Sequence, residues 1–133
     1  MTALVQTQAA ALLKASLGVA SLTAFSGSAN VRLTTTTPTA TAAGTELVAT
    51  GYTAGGKAIV FNTTSTNSTT GPTVAQTWTN SGGGSWTGIV GLEIWDSAGT
   101  PVRWWYGTWT GQPIVIAAGN SFQIAIGAIT VTI

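Results

Sequence analysis

Short runs of alternating apolar and polar residues fill the chain beyond its N-terminal segment. Residues 86–96 carry apolar side chains at odd and even positions alike, which favours a strand at the centre of a sheet. Residues 102–109 are predicted to be its hairpin partner, across a turn at 97–100. Many short strands joined by glycine-rich turns are typical of a β-sandwich or jelly roll. We therefore predict an all-β fold, with a single sandwich domain over residues 19–133.

The closing segment shows a change of phase that one regular strand cannot accommodate. Apolar residues fall on even positions from 122 to 126 and on odd positions from 129 to 133. Because side chains alternate with a period of two, such a shift requires a bulge or a change of sheet. Gly127 lies at the shift and is the residue type that permits it.

Polar stretches separate the other predicted strands. Residues 34–44, rich in Thr, Ala and Pro, predict an extended and exposed loop. Residues 62–72, rich in Asn, Ser and Thr, predict a loop or hairpin tip. Short strands are predicted at 58–61 and 73–79, where apolar residues return.

The N-terminal residues 1–18 predict a short helix. Ala and Leu, both strong helix formers, dominate positions 9–15. Thr2 is the expected N-cap, and Gly18 is the expected C-terminal stop. A cleaved signal peptide is the competing interpretation, although no positive residue precedes the apolar part, as such a signal requires.

One face of this predicted helix is a candidate docking element. Leu13 and Leu17 are four positions apart and, with alanines one turn earlier, form an apolar stripe. Since residues 19–133 are predicted to fold as a unit, the stripe is free either to contact a neighbouring subunit or to pack on the end of its own sandwich.

The amino-acid composition excludes several classes of catalytic site, metal site and covalent cross-link. Only seven of the 133 residues are charged, 5% against about 25% in ordinary domains. There is neither His nor Cys, which excludes Ser-His-Asp and Cys-His nucleophile systems, His/Cys zinc sites and disulfides. We expect no cofactor and no metal.

The charge balance also limits the partners. A net charge of +1 is too small to hold nucleic acid by neutralising phosphates. No apolar run reaches the length of a membrane span. A surface of hydroxyls and amides near zero net charge tends to associate, which predicts a protein working inside an assembly. A secreted, Thr-rich β domain is the alternative.

The few carboxylates predict structural roles. Glu93 and Asp96 are three apart on the predicted strand, so they face opposite sides and cannot act on one bond. Asp96 is expected to accept hydrogen bonds from backbone N–H groups of the hairpin turn, and Glu93 to pair with Arg103 across it. We therefore expect no enzymatic activity.

Tryptophans cluster in the same region and are the second candidate contact group. Trp104 and Trp105 are adjacent, so a regular strand would place them on opposite faces. Trp105 shares its face with Trp109. Each ring belongs to the core, to a contact between subunits or to a glycan-binding platform, because aromatic residues serve as anchors in all three.

Several motifs of turn glycines and core aromatics follow one another along nearly the whole chain. They are G-T-E-L at 44–47 with G-Y at 51–52, W-T-G-I-V-G-L-E-I-W-D at 86–96, W-Y-G at 105–107, I-A-A-G-N-S-F at 116–122 and G-A-I-T-V-T-I at 127–133. Their order resembles a family of small virion proteins of tailed bacteriophages, variously called capsid decoration, head fibre or tail fibre proteins. The chain departs from the family pattern in a Gly88 one place later and in its long Thr tract.

The resemblance implies a structural protein of the virion. The first expectation is a capsid decoration protein on the outer surface of the head, bound to the major capsid protein and to copies of itself as a homotrimer. The alternative is a tail fibre or minor tail protein that contacts glycans of the host surface. A secreted carbohydrate-binding module is a third hypothesis, weakened by the missing signal peptide.

Overall fold

The computed structural model describes residues 3–63 and 68–133 of the chain. Within them the protein is all-β with one short helix near the N-terminus, as predicted. The elements are, in chain order, β1 Ala3–Leu4, α1 Gln6–Ser16, β2 Ala29–Thr34, β3 Lys57–Ile59, β4 Ser68–Gly71, β5 Gln76–Thr79, β6 Trp86–Ile89, β7 Gly91–Trp95, β8 Arg103–Thr108, β9 Ile114–Ile116, β10 Ser121–Ile124 and β11 Ile129–Thr132.

Five strands form the larger sheet, in the order β1-β8-β7-β2-β3 with antiparallel neighbours. The predicted hairpin is present as β7 and β8. Because β7 lies between β8 and β2, it has no free edge, and the apolar side chains of Leu92 and Ile94 are buried. β7 is therefore a central strand of the sheet, as the density of apolar residues in this segment predicted.

Three two-stranded ladders contain the remaining strands: β5 with β10, β4 with β11, and β6 with β9. Buried side chains from the five-stranded sheet and from all three ladders belong to one apolar core. Strands of several sheets around one buried core are typical of a sandwich, the architecture that the sequence predicted.

The change of phase in the closing segment is a change of partner strand. β10 pairs with β5, whereas β11 pairs with β4. Gly127 lies between β10 and β11 with φ of 70°, a backbone conformation that favours glycine. Ile124 and Ile129 on either side are buried, while Ile126 is 68% exposed because it belongs to neither strand.

The segment 86–96 is not the single strand that its pattern predicted. It divides into β6 and β7, which pair with strands of different sheets. The break falls at Val90, whose N–H donates to Thr34 and whose carbonyl accepts from Trp109. Apolar residues occur at both parities because the chain changes partner strands at this point and not only because β7 is central.

Both polar stretches are more ordered than expected. Residues 34–44 do not form an extended loop: they turn back on themselves, with Thr35 N donating to Thr45 O at 2.8 Å and Pro38 buried. Residues 68–71, inside the predicted loop at 62–72, form β4, which pairs with β11 and contains two β-branched threonines that suit a strand. Residues 64–67 lie outside the described part.

The helix is shorter than residues 1–18. Ala3 and Leu4 pair with β8 instead, which uses the open edge of the larger sheet. Val5 precedes the helix with no side-chain cap, and the predicted cap Thr2 lies outside the described residues. Gly18 ends the helix as predicted: its N–H donates to Ala15 O, and the next N–H to Lys14 O, the pair of bonds typical of a Schellman motif.

Candidate subunit-contact surfaces

Trp104 and Trp105 do not lie on opposite faces of β8. The ladder with β7 pairs Ile94 with Trp105 and Trp95 with Arg103, so Trp104 occupies a bulge without a direct partner. A bulge breaks the alternation of side chains. The two rings consequently stack, with centroids 5.8 Å apart and planes at 29°.

The three candidate tryptophans are mainly core residues in the described structure. Trp104 is only 7% exposed, and its Nε1 donates to Asp96 Oδ2 at 3.2 Å. Trp105 and Trp109 are half-buried against the apolar core, and Trp109 makes an edge contact with Phe122 at 5.3 Å. Part of the Trp105 ring remains available to a partner, because it also lines a groove described below.

The two candidate leucines are uncovered. Leu13 is 60% exposed and Leu17 is 69% exposed. Gln8 is the buried residue of α1, and Ala11 and Ala15 further along the helix are half-buried. The leucine stripe thus leaves the larger part of two apolar side chains in water, which costs free energy unless another surface covers them.

An open apolar groove has a volume of about 600 Å³. It lies where the connector before β2 meets the ends of β3 and β11. No charged side chain is among its described lining residues. Its principal walls are the side chains of Phe25, Ile59, Val60, Phe61, Trp105 and Ile133.

Sequence reasoning missed this groove. The segment 21–30 looked like a connector of small residues, yet Phe25 within it packs on Trp104 at 5.3 Å and on Trp105 at 6.4 Å. The available signal was an aromatic residue isolated in an otherwise small and polar stretch. Val60 and Ile133 gave no such signal, because they lie within predicted strand segments and only the structure shows them exposed.

The predicted pairing of Glu93 with Arg103 is present. Arg103 Nη1 lies 2.8 Å from Glu93 Oε1, and the two side chains are 10% and 2% exposed. Glu93 also accepts from Gly44 N at 2.9 Å and from Trp95 Nε1 at 3.0 Å, while Arg103 donates to Ala42 O. The pair therefore anchors the folded-back segment 34–44 on the outer face of the sheet.

A second charged cluster surrounds Glu46. Its carboxylate accepts from the Tyr52 hydroxyl at 3.0 Å and from Gly55 N at 2.8 Å, and it lies 3.6 Å from Arg32 Nη1. Burial raises the pKa of Tyr52 above its ordinary value, and the nearby Glu46 charge adds to this. Tyr52 stays protonated and acts as a donor. Glu46 and Glu93 thus have separate partners and separate structural roles.

Asp96 is the turn residue that the sequence predicted. It is buried and accepts from Val102 N at 2.8 Å, from Trp104 Nε1 and from Ala98 N. Burial by itself would raise the pKa of Asp96, but the hydrogen bonds from Val102, Trp104 and Ala98 outweigh it, so the pKa lies below its ordinary value.

Asp96 should therefore make the protein sensitive to acid. Because its pKa is lower in the folded than in the unfolded chain, the unfolded chain takes up the proton first as the pH falls below about 4. The stabilisation is present above that pH and lost below it. Asp96→Asn, which keeps an accepting oxygen without the charge, should flatten the acid limb of stability measured by urea unfolding. Equal acid limbs in both proteins would contradict this role.

Residues 3–63 and 68–133 contain no group of three or more His, Cys, Asp or Glu side chains placed to hold a metal ion. In the same residues, no helix has the length and apolar character needed to cross a membrane.

Comparison with known proteins adds no relative: no family model matches the chain, and no curated protein or solved structure matches it either.

Proposed function

We propose that this chain is a structural protein of a tailed-bacteriophage virion, most specifically a capsid decoration protein on the outer surface of the head. Its partners would be the major capsid protein and copies of itself, with a homotrimer as the favoured assembly. The proposal starts from the order of glycine and aromatic motifs along the chain. The uncovered leucines of α1 support it, because they mark a surface prepared for contact with other subunits.

The distribution of charge also supports a structural role. Of the seven charged residues, six make internal hydrogen bonds or ion pairs, namely Arg32, Glu46, Lys57, Glu93, Asp96 and Arg103. Lys14 is the one whose side chain makes no such contact among the described residues. Contacts with a partner must then come from apolar and hydroxyl groups, which salt screens very little.

The proposed mechanism is stabilisation by mass action. A protein that binds the assembled lattice but not the free capsid subunit favours the assembled state in proportion to its occupancy. No catalytic step is needed, and the absence of His and Cys from the sequence is no obstacle to it.

The decisive measurement is the number of copies in purified virions of the phage that encodes the chain, quantified by mass spectrometry against the major capsid protein. A ratio near one, or a simple lattice fraction of it, is expected, and it should persist after a wash at about molar salt. Release by salt would contradict apolar attachment. A handful of copies would move the protein to the tail or a vertex, where contact with the host surface becomes the function. Absence from virions would overturn both assignments.

A further inference from the structure

We infer that the N-terminal residues 3–8, called the arm, are exchanged between copies of this chain, so that the arm of one copy completes the sheet of the next. The inference rests on the proposed association of the protein with copies of itself and names the contact that joins them. The structure contains both the arm and the site that receives it. Exchange changes only which copy supplies the arm.

The arm binds to a defined site at the edge of the five-stranded sheet. Ala3 pairs with Tyr106 and Leu4 pairs with Trp105 in an antiparallel ladder. Without the arm, β8 would be the edge strand, with unpaired backbone N–H and C=O groups along one side. Such an edge accepts an added strand through main-chain hydrogen bonds. The site therefore requires a strand at this place, and the arm is the segment whose register fits it.

Buried side chains anchor the arm beyond the ladder. Val5 is 3% exposed, and its N–H donates to Trp104 O at 2.9 Å. Gln6 N donates to Ala40 O at 2.9 Å, and the Gln8 side chain is buried. Burial of a valine side chain contributes about 1.5–3 kcal/mol. These contacts are the same whether the arm comes from its own copy or from another one.

The tether, residues 9–24, joins the arm to the rest of the domain and makes few contacts with it. Apart from the half-buried Ala11 and Ala15, every residue of the tether is exposed. No backbone hydrogen bond of the described structure involves residues 20–25. Leading the tether to a neighbouring copy therefore breaks few contacts.

The tether is also long enough to reach a neighbouring copy. It ends at Phe25, which packs on Trp104 and Trp105, in the part of β8 that receives the arm. A helix over residues 9–16 followed by extended chain over 17–24 spans up to about 40 Å. A domain of this length has a radius of gyration of about 14 Å, hence a diameter of about 36 Å. The tether can thus cross from one copy to an adjoining one.

The concentration of the chain decides which copy supplies the arm. Because the contacts at β8 are equal in both arrangements, the balance depends on the effective concentration of the tethered arm, about millimolar for a short flexible linker. Dilute copies keep their own arm. Copies held side by side in an assembly exchange arms at little cost, which links them without any new surface.

The first test uses the absence of cysteine from the chain. Ala3→Cys is placed in one chain and Tyr106→Cys in a second chain with a different tag, since directly opposite residues of a ladder lie close enough for a disulfide. The two chains are unfolded in urea, refolded together at about millimolar concentration and oxidised. We expect a disulfide dimer that contains both tags, with a yield that falls on dilution. Absence of this dimer would overturn the inference.

Gln123→Cys and Thr77→Cys form the matched control pair. Gln123 and Thr77 are also directly opposite in a ladder, but neither belongs to the arm. Gln123 is exposed like Ala3, and Thr77 is half-buried like Tyr106. Two chains that carry these substitutions separately should give no dimer with both tags. Equal yields from the two pairs would show that cross-linking is not specific to the arm, and the inference would fail.

Val5→Asp tests whether the arm itself makes the contact. Added to the Ala3→Cys chain, it places a charge at a buried position and should lower the yield of the mixed dimer by about tenfold or more. Leu17→Gln, in the exposed tether, is the control and should leave the yield unchanged. Circular dichroism shows whether each variant keeps its sheet content. An undiminished yield from a folded Val5→Asp chain would contradict the inference.

The outcome is separable from that of the proposed function. A chain that is abundant on virions but gives no dimer with both tags keeps its function and loses this contact. A chain that exchanges arms in solution but is absent from virions keeps the contact and loses the function. An oligomer that forms in sedimentation equilibrium without the mixed disulfide has its interface elsewhere, which overturns the inference.

Discussion

Gly56→Ala is expected to abolish the native fold or to lower its free energy of unfolding by more than about 4 kcal/mol. A Cβ at this position would overlap the Val31 carbonyl, and it would also lie 2.6 Å from Val31 C and 3.0 Å from Arg32 N. These are backbone atoms of β2, which is paired on both sides, so no side-chain rotation relieves the overlap. The positive φ of 76° adds conformational strain.

Gly55→Ala is the matched control for this substitution. Gly55 has an equally positive φ of 89°, but an added Cβ would meet no atom within 4 Å. Its cost should be that of the left-handed conformation alone, about 1–2 kcal/mol. Urea unfolding followed by tryptophan fluorescence measures both variants. Equal losses at the two positions would show that conformation, not the close approach to β2, is what requires glycine at position 56.

Arg103→Met is expected to lower the free energy of unfolding by about 3–5 kcal/mol. The substitution keeps most of the apolar stem but leaves the Glu93 carboxylate, whose side chain is 2% exposed, without its cation. Gly44 N and Trp95 Nε1 still donate to that carboxylate, yet neither carries a charge. Ala42 O loses its donor at the same time, so the segment 34–44 should loosen and become more accessible to protease.

A double-mutant cycle separates the ion pair from the rest of the loss. Glu93→Gln with Arg103→Met removes both charges, so the double variant should lose less than the sum of the two single variants. Lys14→Gln is the control, because Lys14 is exposed, and it should change stability by no more than about 0.5 kcal/mol. Additive losses across the cycle would contradict a coupled pair.

The predictions that the structure confirms are those that follow from neighbouring residues in the sequence. The turn at 97–100 and the shift of phase at Gly127 could be predicted because side chains in a strand alternate with a fixed period of two, and glycine permits a break in that alternation. Asp96 could be predicted as a hydrogen-bond acceptor of the turn because it directly precedes the turn in the sequence. The predicted ion pair of Glu93 with Arg103 is also present, although the ladder places Glu93 opposite Tyr106 and Arg103 opposite Trp95.

The predictions that failed depended on contacts between distant segments. The composition of residues 34–44 predicts an open loop. In the structure the Gly44 N–H donates to the Glu93 carboxylate, 49 residues away, and this contact holds the segment against the sheet. Trp104 and Trp105 should alternate, but a one-residue bulge opposite Trp95 brings their rings together. Residues 86–96 predict one strand because a segment that changes partner strands and a strand buried on both faces show the same pattern of apolar residues.

The amino-acid sequence was enough to predict the all-β class, the helix near the N-terminus, the turn positions and the small number of charges, because each of these depends on neighbouring residues or on composition. The folded structure was needed to show that the tryptophans are mainly core, that Leu13 and Leu17 are exposed, and that Phe25 and Ile133 line one groove. Burial is a property of packing among segments far apart in the chain, so periodicity can show that a residue is apolar but not which surface will cover it.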